Sequence, residues 1–200
     1  RNMITIVTDT SVGYSRAEAE SRNIRLVSLA YLISGIPYSE QPRGENGNFA
    51  EKMRGKHLKT SQPAPFAFSR IFEELTQNGG EVLCITLSSA LSGTYSSAVK
   101  AAEPFGKSVR VINSGTVNGG LHLLVDEAVN MLVGGLTLEE ICNNLEGIKS
   151  KIGTVFTVES LEPLKKGGRL VASKSANTTL NTRPILTLVD SIQFVSNVRG

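Results

Sequence analysis

Hydroxyl groups crowd one stretch of this 200-residue chain, Leu87-Ser88-Ser89-Ala90-Leu91-Ser92-Gly93-Thr94-Tyr95. An apolar run from Val82 to Leu87 leads into it, short and β-rich enough for a buried strand. Behind it, Tyr95 to Glu103 reads as a helix. A strand that ends in Ser, Gly and Thr and then opens a helix makes an anion site. The first backbone N–H groups of the helix have no intrahelical partner, and the macrodipole favours negative charge there. Gly93 lets a ligand approach the backbone closely, and the Ser92 and Thr94 hydroxyls can both donate and accept. The plainer reading of Ser92 is a helix cap, worth about 1 kcal/mol.

Two other strands end the same way. Met3 to Thr8 is an opening strand that closes in Thr8-Asp9-Thr10-Ser11, and Val109 to Ile112 runs into Asn113-Ser114-Gly115-Thr116. Between them, Thr60-Ser61-Gln62-Pro63-Ala64-Pro65 reads as a hydroxyl-rich loop, with Pro65 in the first turn of a helix where its missing N–H costs nothing. Capping boxes at Ser15–Glu18 and Thr137–Glu140 open two further helices, and a long helix spans about Asn118 to Val133. Tyr31 to Tyr38 suggests a hairpin on the far side of a second strand, Ile24 to Leu29. Strand and helix alternate, which predicts an α/β fold: a parallel sheet covered by helices over residues 1–152, with ligands outside the carboxyl ends of the strands. The hydroxyl-rich turns then converge on one crevice. Asp9, Ser11, Ser114 and Arg169 are its secondary candidates.

The character changes after Gly153. Thr154 to Val158 is a strand, Ser160 to Lys166 a short helix, and Gly167-Gly168-Arg169 a sharp turn. Pro184 to Leu188 and Ile192 to Val195 pair as a hairpin across Val189-Asp190-Ser191. A lone two-stranded hairpin is at best marginal in water. Residues 153–200 are therefore expected to begin a second α/β domain that the chain leaves incomplete. Met3 is expected to be the native start.

Composition narrows the function classes. A net charge of +3 and scattered Lys and Arg residues give no basic block interleaved with aromatics, so nucleic acid is not an expected partner. Two cysteines, Cys84 and Cys142, make neither a disulfide framework nor a metal spacing. No apolar run approaches the ~18 residues a membrane span needs, and the expected location is the cytoplasm.

Several stretches together resemble the DegV family, the fatty-acid-binding subunits of bacterial fatty acid kinase. They are Ile6-Val7-Thr8-Asp9, Thr60-Ser61-Gln62-Pro63, Leu87 to Tyr95, Phe156 to Arg169, Leu180 to Leu186, and Val198-Arg199-Gly200. The resemblance implies two α/β domains with a fatty acid buried between them. It implies no catalytic residue and no cofactor, only a long-chain fatty acid whose carboxylate a separate kinase subunit phosphorylates to an acyl phosphate. Thr60, Ser61 and Ser92 would bind the head group, helped by Gly93 and Thr94, and Arg199 would dock the kinase. Transient contact with a membrane or an acyltransferase fits the same role. The chain departs from the family pattern in having Asn113 where Asp is usual. It also lacks the further stretch that carries a head-group histidine.

Two other classes stay open on the residues alone. A Ser92 nucleophile would need a base and an orienting carboxylate. His122 lies in a helix among leucines, His57 sits three residues before Thr60, and no G-x-S-x-G elbow surrounds Ser92. A triose or sugar-phosphate binder would use the same helix terminus, but in a small polar pocket rather than a long apolar one. Lys165, Lys166 and Arg169 read first as a solvated helix end and turn. Arg169 could also neutralise a partner's nucleotide or stiffen the junction between the domains.

Overall fold

The computed structural model describes residues 3–170 and 182–199. From the amino end the elements are β1 (Ile4–Asp9), α1 (Arg16–Ser21), β2 (Ile24–Val27), β3 (Ala30–Ile33), β4 (Ile36–Ser39), α2 (Phe49–Met53), β5 (Leu58–Ser61) and α3 (Pro65–Thr76). There follow β6 (Glu81–Thr86), α4 (Thr94–Ala102), β7 (Val109–Asn113), α5 (Gly119–Val133) and α6 (Leu138–Lys149). The chain then runs through β8 (Thr154–Thr157), α7 (Glu162–Lys166), β9 (Thr182–Leu188) and β10 (Ile192–Arg199). Leu180, Asn181 and Gly200, which belong to the motifs quoted above, lie outside the described residues.

Four strands form a parallel sheet in the order β2-β1-β6-β7. Its central strands are nearly continuous apolar runs because helices cover both faces. Side chains alternate along each strand, so Ile6, Leu83 and Ile85 pack against Leu121, Leu124 and Val125 of α5 and Ile141 and Leu145 of α6. Val7, Val82 and Cys84 turn the other way, onto Phe68 and Phe72 of α3 and Ala98 and Ala101 of α4. Both predicted capping boxes are present, with Ser15 accepting from the Glu18 N–H and Thr137 from the Glu140 N–H.

Chain order and spatial order diverge at one place in this sheet. From β1 the chain goes to β2 on one side and later returns to β6 on the other. Such a switch leaves a crevice outside the carboxyl ends of the two strands. One buried carboxylate spans it. Asp9 closes β1, and its Oδ1 accepts from the Ser11 N–H at 3.1 Å and from the Ser11 hydroxyl. Its Oδ2 accepts from the Leu87 N–H, just past β6, at 2.7 Å.

Two smaller antiparallel sheets flank the first. Strands β4-β3-β5 form a flap, and β10-β9-β8 form the sheet that follows Gly153. The predicted hairpin is there, extended to Thr182–Leu188 and Ile192–Arg199 with an irregularity between Phe194 and Ser196, and β8 supplies the third strand. Leu161, Leu170, Leu186, Leu188 and Ile192 form its core, which also packs on Ala90, Leu91 and Val117 from the first sheet's loops. The flap corrects the expected loop at Thr60-Ser61. Those two residues end β5, paired with Tyr31 and Ala30 of β3, because the hairpin offers a free edge to whatever chain passes beside it. No helix among the described residues is long and apolar enough to cross a membrane.

Asp9→Asn should lower stability by about 1–3 kcal/mol in urea unfolding, since an amide has only one acceptor oxygen for the donors that converge here. A change below about 0.5 kcal/mol would mean the strand ends hold without this carboxylate. Burial pushes the Asp9 carboxyl above its ordinary 3.8, opposed by the Ser11 hydroxyl and the Leu87 and Ser11 N–H groups. The folded protein therefore holds this proton more tightly than the unfolded chain does. Asp9's own contribution to stability must then fall as pH rises past 3.8, and Asp9→Asn should lack that slope.

Candidate functional site

Three turns meet at the carboxyl edge of the parallel sheet: backbone bonds from Ser88 N–H to the Thr116 carbonyl at 2.7 Å and from Ser114 N–H to the Thr86 carbonyl at 3.1 Å tie the turns after β6 and β7, and the Asp9 carboxylate ties the turn after β1 to Leu87. The middle turn opens onto a cavity. Its volume is about 430 Å³, and Ser92, Leu87 and Leu91 form its floor. The flap supplies the opposite wall through Ala30, Tyr31, Leu58, Thr60 and Ser61. Glu40, Asn46 and Gln62 add polar groups, and Arg169 closes one side.

Arg169 joins three parts of the molecule at this wall. Its Nε donates to the Leu91 carbonyl at 2.8 Å and its Nη2 to the Thr60 hydroxyl at 3.0 Å, while the residue itself belongs to the turn after α7. A guanidinium offers five donors in a planar fork and is always charged. It therefore sets a fixed positive charge beside Ser92 and Thr60. Ser92 is half-buried at the start of α4, where its Oγ accepts from the Thr94 N–H at 3.3 Å and lies 2.8 Å from the Thr94 hydroxyl. Hydroxyls and a guanidinium thus converge on one spot beside the start of α4, which suits a carboxylate or a phosphate.

The remaining sequence candidates support this wall without lining it. Asp9 and Ser11 are buried in the clamp between β1 and β6, and the Ser114 hydroxyl donates to the Thr116 carbonyl. Thr94 is buried behind Ser92. Gly93 is packed under the Gln62 side chain so closely that a Cβ there would stand 2.7 Å from Gln62 Cδ. Arg199 is exposed at the end of β10, away from the cavity. His57 is exposed, and His122 packs against Tyr14, ring centres 4.4 Å apart and tilted by 49°, with its Nδ1 3.1 Å from the Val12 carbonyl. Among the described residues no histidine lines the cavity, and the Ser92 hydroxyl is partnered by that of Thr94.

A second, larger groove of about 940 Å³ begins on the other side of Leu91. It runs between the amino end of α5 and the second antiparallel sheet, along Val117, Leu123, Val155, Phe156, Leu164 and Ile192. Among the described residues its lining holds no Asp, Glu, Lys or Arg, whereas the first cavity holds Glu40 and Arg169. Among the described residues no group of three or more His, Cys, Asp and Glu side chains is placed to hold a metal ion.

The flap was the part of the site that residue spacing did not reveal. Tyr31, Glu40, Asn46, Phe49 and Gln62 reach the cavity only because β3, β4 and β5 fold back over the sheet edge. Glu40 is one of the ties that hold it there, accepting from the Thr10 hydroxyl at 2.6 Å, while that hydroxyl accepts from the Leu29 N–H at 3.0 Å. The available signal was the alternation of Tyr31 and Ile33 with Ile36 and Tyr38 across a Ser34-Gly35 turn, a hairpin with one apolar face.

A family model described as "Uncharacterised protein, DegV family" matches residues 3–200. The chain belongs to the DegV family. A DegV domain-containing protein of Staphylococcus aureus strain COL is 32% identical over 197 residues, which are 97% of this chain and 71% of that protein. Among solved structures, a DegV family protein from Thermus thermophilus described for its fatty acid binding superposes with a TM-score of 0.88 at 32% identity, covering 99% of this chain and 72% of its own. A stearic acid-binding protein from Eubacterium ventriosum gives 0.86 at 26% identity, with 99% and 71% covered.

Asn113 answers its departure from the family pattern in geometric terms. Its Oδ1 accepts from the Ser89 and Gly115 N–H groups at 3.1 and 3.2 Å, and its Nδ2 donates to the Ser89 hydroxyl at 2.7 Å. A carboxylate here would keep both amide donors and accept from the same hydroxyl, which can rotate to donate. Asn113→Asp should therefore change stability by no more than about 0.5 kcal/mol in urea unfolding. A loss of about 2 kcal/mol would mean that the amide's donor is indispensable.

Proposed function

We propose that this DegV protein binds a long-chain fatty acid between its parallel sheet and the sheet that follows Gly153, and presents the carboxylate to a separate kinase subunit. The observation that carries the reading is the meeting of two unlike cavities at Leu91. One holds Arg169, Ser92, Thr60 and Ser61, and the other is a groove lined, among the described residues, by no Asp, Glu, Lys or Arg. A fatty acid has the same division. The names of the Thermus and Eubacterium relatives, which specify fatty acid and stearic acid, point the same way.

Magnitudes assign the two ends different work. Burying methylenes at about 0.8 kcal/mol each gives roughly 12 kcal/mol gross for a sixteen-carbon chain, before the cost of association. A charge-assisted hydrogen bond from Arg169 adds about 1.5–3 kcal/mol. The tail therefore sets affinity and the polar cluster sets direction. In this orientation the carboxylate faces the flap cavity, where Thr60, Ser61, Gln62 and Asn46 leave polar room for the phosphoryl group of an acyl phosphate. Arg199, exposed on the edge strand β10, is the proposed kinase contact, and the protein itself performs no chemistry. A sugar phosphate would use the polar cluster but leave the apolar groove without a role.

Native mass spectrometry of the purified protein, with lipid extraction in parallel, should reveal a co-purifying fatty acid. Arg169→Met should weaken palmitate binding about 10- to 100-fold while leaving hexadecanol, which lacks the charge, unaffected. Equal loss for both ligands would mean that Arg169 acts only as a clasp between loops. Ser92→Ala should reduce phosphorylation by the kinase more than it reduces binding. Arg199→Ala should leave palmitate affinity intact and lower kinase turnover; a large drop in affinity would rule out the docking role.

A further inference from the structure

The room proposed for the phosphoryl group holds a negative charge of its own. Among the described residues, Glu40 and Arg169 are the charged side chains that line the cavity around Ser92, so its lining is neutral as a whole. A bound carboxylate takes it to one net negative charge. A phosphoryl group, with about −1.5 to −2 at neutral pH, takes it close to two.

Glu40 is held in place on two sides. It follows β4, and its N–H donates to the Leu29 carbonyl at 2.8 Å. Its Oε2 accepts from the Thr10 hydroxyl at 2.6 Å, and that hydroxyl accepts in turn from the Leu29 N–H at 3.0 Å. This tie between the flap and the sheet edge needs an acceptor oxygen, which the amide of a glutamine offers equally well. It does not need a charge. Nor does an ion pair account for the charge: among the described residues Glu18, Glu45, Glu74 and Asp126 each meet an arginine, and half-buried Glu40 meets none. Its charge is nonetheless felt nearby. Burial is the main reason the Asp9 carboxyl lies above its ordinary 3.8, and the negative charge of Glu40 adds to the rise.

We propose that Glu40 sets the charge preference of the head-group cavity, favouring the singly charged carboxylate over its phosphorylated product and so promoting release of the acyl phosphate. The proposal rests on the fatty-acid reading above and names what that site discriminates. Arg169 attracts both ligands, and the more highly charged one more strongly, so that alone it would make the product the tighter ligand. A carboxylate in the same cavity opposes this, because its repulsion also grows with the charge of the ligand. Specificity is a difference of two affinities, and contacts common to both ligands, the apolar groove above all, cancel from it.

Three sixteen-carbon ligands test the role on the purified protein at about pH 8: hexadecanol, palmitate and hexadecyl phosphate, a stable stand-in for the acyl phosphate. Glu40→Gln keeps the acceptor for Thr10 and removes the charge. It should leave hexadecanol affinity unchanged, tighten palmitate about threefold and tighten hexadecyl phosphate about tenfold, on the order of a factor of three per unit of ligand charge between partly screened groups. Added salt should shrink these gains. Glu40→Asp keeps the charge on a shorter side chain, and should hold the wild-type ratio of palmitate to hexadecyl phosphate affinity whatever the loss of the Thr10 bond does to the melting temperature. Equal effects of Glu40→Gln on all three ligands, or no effect, would overturn the proposal and leave Glu40 as a tie for the flap. So would magnesium that tightens hexadecyl phosphate on the wild type but not on the Glu40→Gln variant, because Glu40 would then hold a cation that attracts the phosphoryl group. Wild-type protein that binds none of the three ligands would sink the fatty-acid reading and this proposal with it. Palmitate binding with an unchanged ratio in Glu40→Gln would sink this proposal alone.

Discussion

In a parallel sheet the backbone bonds run to the last paired residue and then stop, so something else must fix the geometry of the strand ends. Here the carboxylate of Asp9 does so at the point where the chain reverses its direction of travel across the sheet. By accepting from the turn after β1 and from Leu87 after β6, it sets where the Ser88–Thr94 loop leaves the sheet. The start of α4, the position of Ser92 and the floor of the cavity follow from that anchor. Keeping an ionised group there works against burial, which raises its proton affinity. The three donors it receives offset part of that cost.

From this edge outward the molecule is assembled by a few polar ties. Arg169 reaches from the turn after α7 to the Leu91 carbonyl and to Thr60 on the flap, so one side chain joins the Ser88–Thr94 loop, the flap and the segment leading to the second antiparallel sheet. The Thr10–Glu40 bond closes the flap's other margin. These contacts are polar and partly exposed, unlike the apolar packing on both faces of the parallel sheet, where Val7, Leu83, Ile85 and Phe72 are fully enclosed or nearly so. A rigid sheet with lightly held walls suits a ligand that must be enclosed and released.

The division of the site follows from the same arrangement. Leu91 stands between a cavity with charged groups and a groove lined, among the described residues, by no Asp, Glu, Lys or Arg, and its carbonyl is held by Arg169 while its side chain joins the core of the following sheet. In the proposed orientation a single residue's two ends would sort carboxylate from alkyl chain. The hydroxyls of Thr60, Ser61 and Ser92 add hydrogen-bonding groups to the cavity without a fixed negative or positive charge of their own. Arg169 supplies the charge that the sequence pattern had presented as a turn.

Much of this was legible in the sequence because it is local. Apolar runs, capping boxes at Ser15 and Thr137, and Ser/Thr/Gly turns after three strands are short-range patterns, and each fixed an element or a strand end. The family resemblance, carried by the order of motifs such as TSQP and LSGT, added the lipid. Which hydroxyls face a ligand was not local. Asp9, Ser11 and Ser114 share the turn chemistry of Ser92, yet hydrogen bonds between turns bury them, and the middle loop faces open space. Thr60 and Ser61 became strand rather than loop because β3 presented an edge, and Arg169 became a wall because two distant oxygens came within reach. Sequence determined the elements and the kind of chemistry available. Tertiary structure decided which side chains use it, because a hydrogen bond between residues 78 or 109 positions apart leaves no periodic trace in the chain.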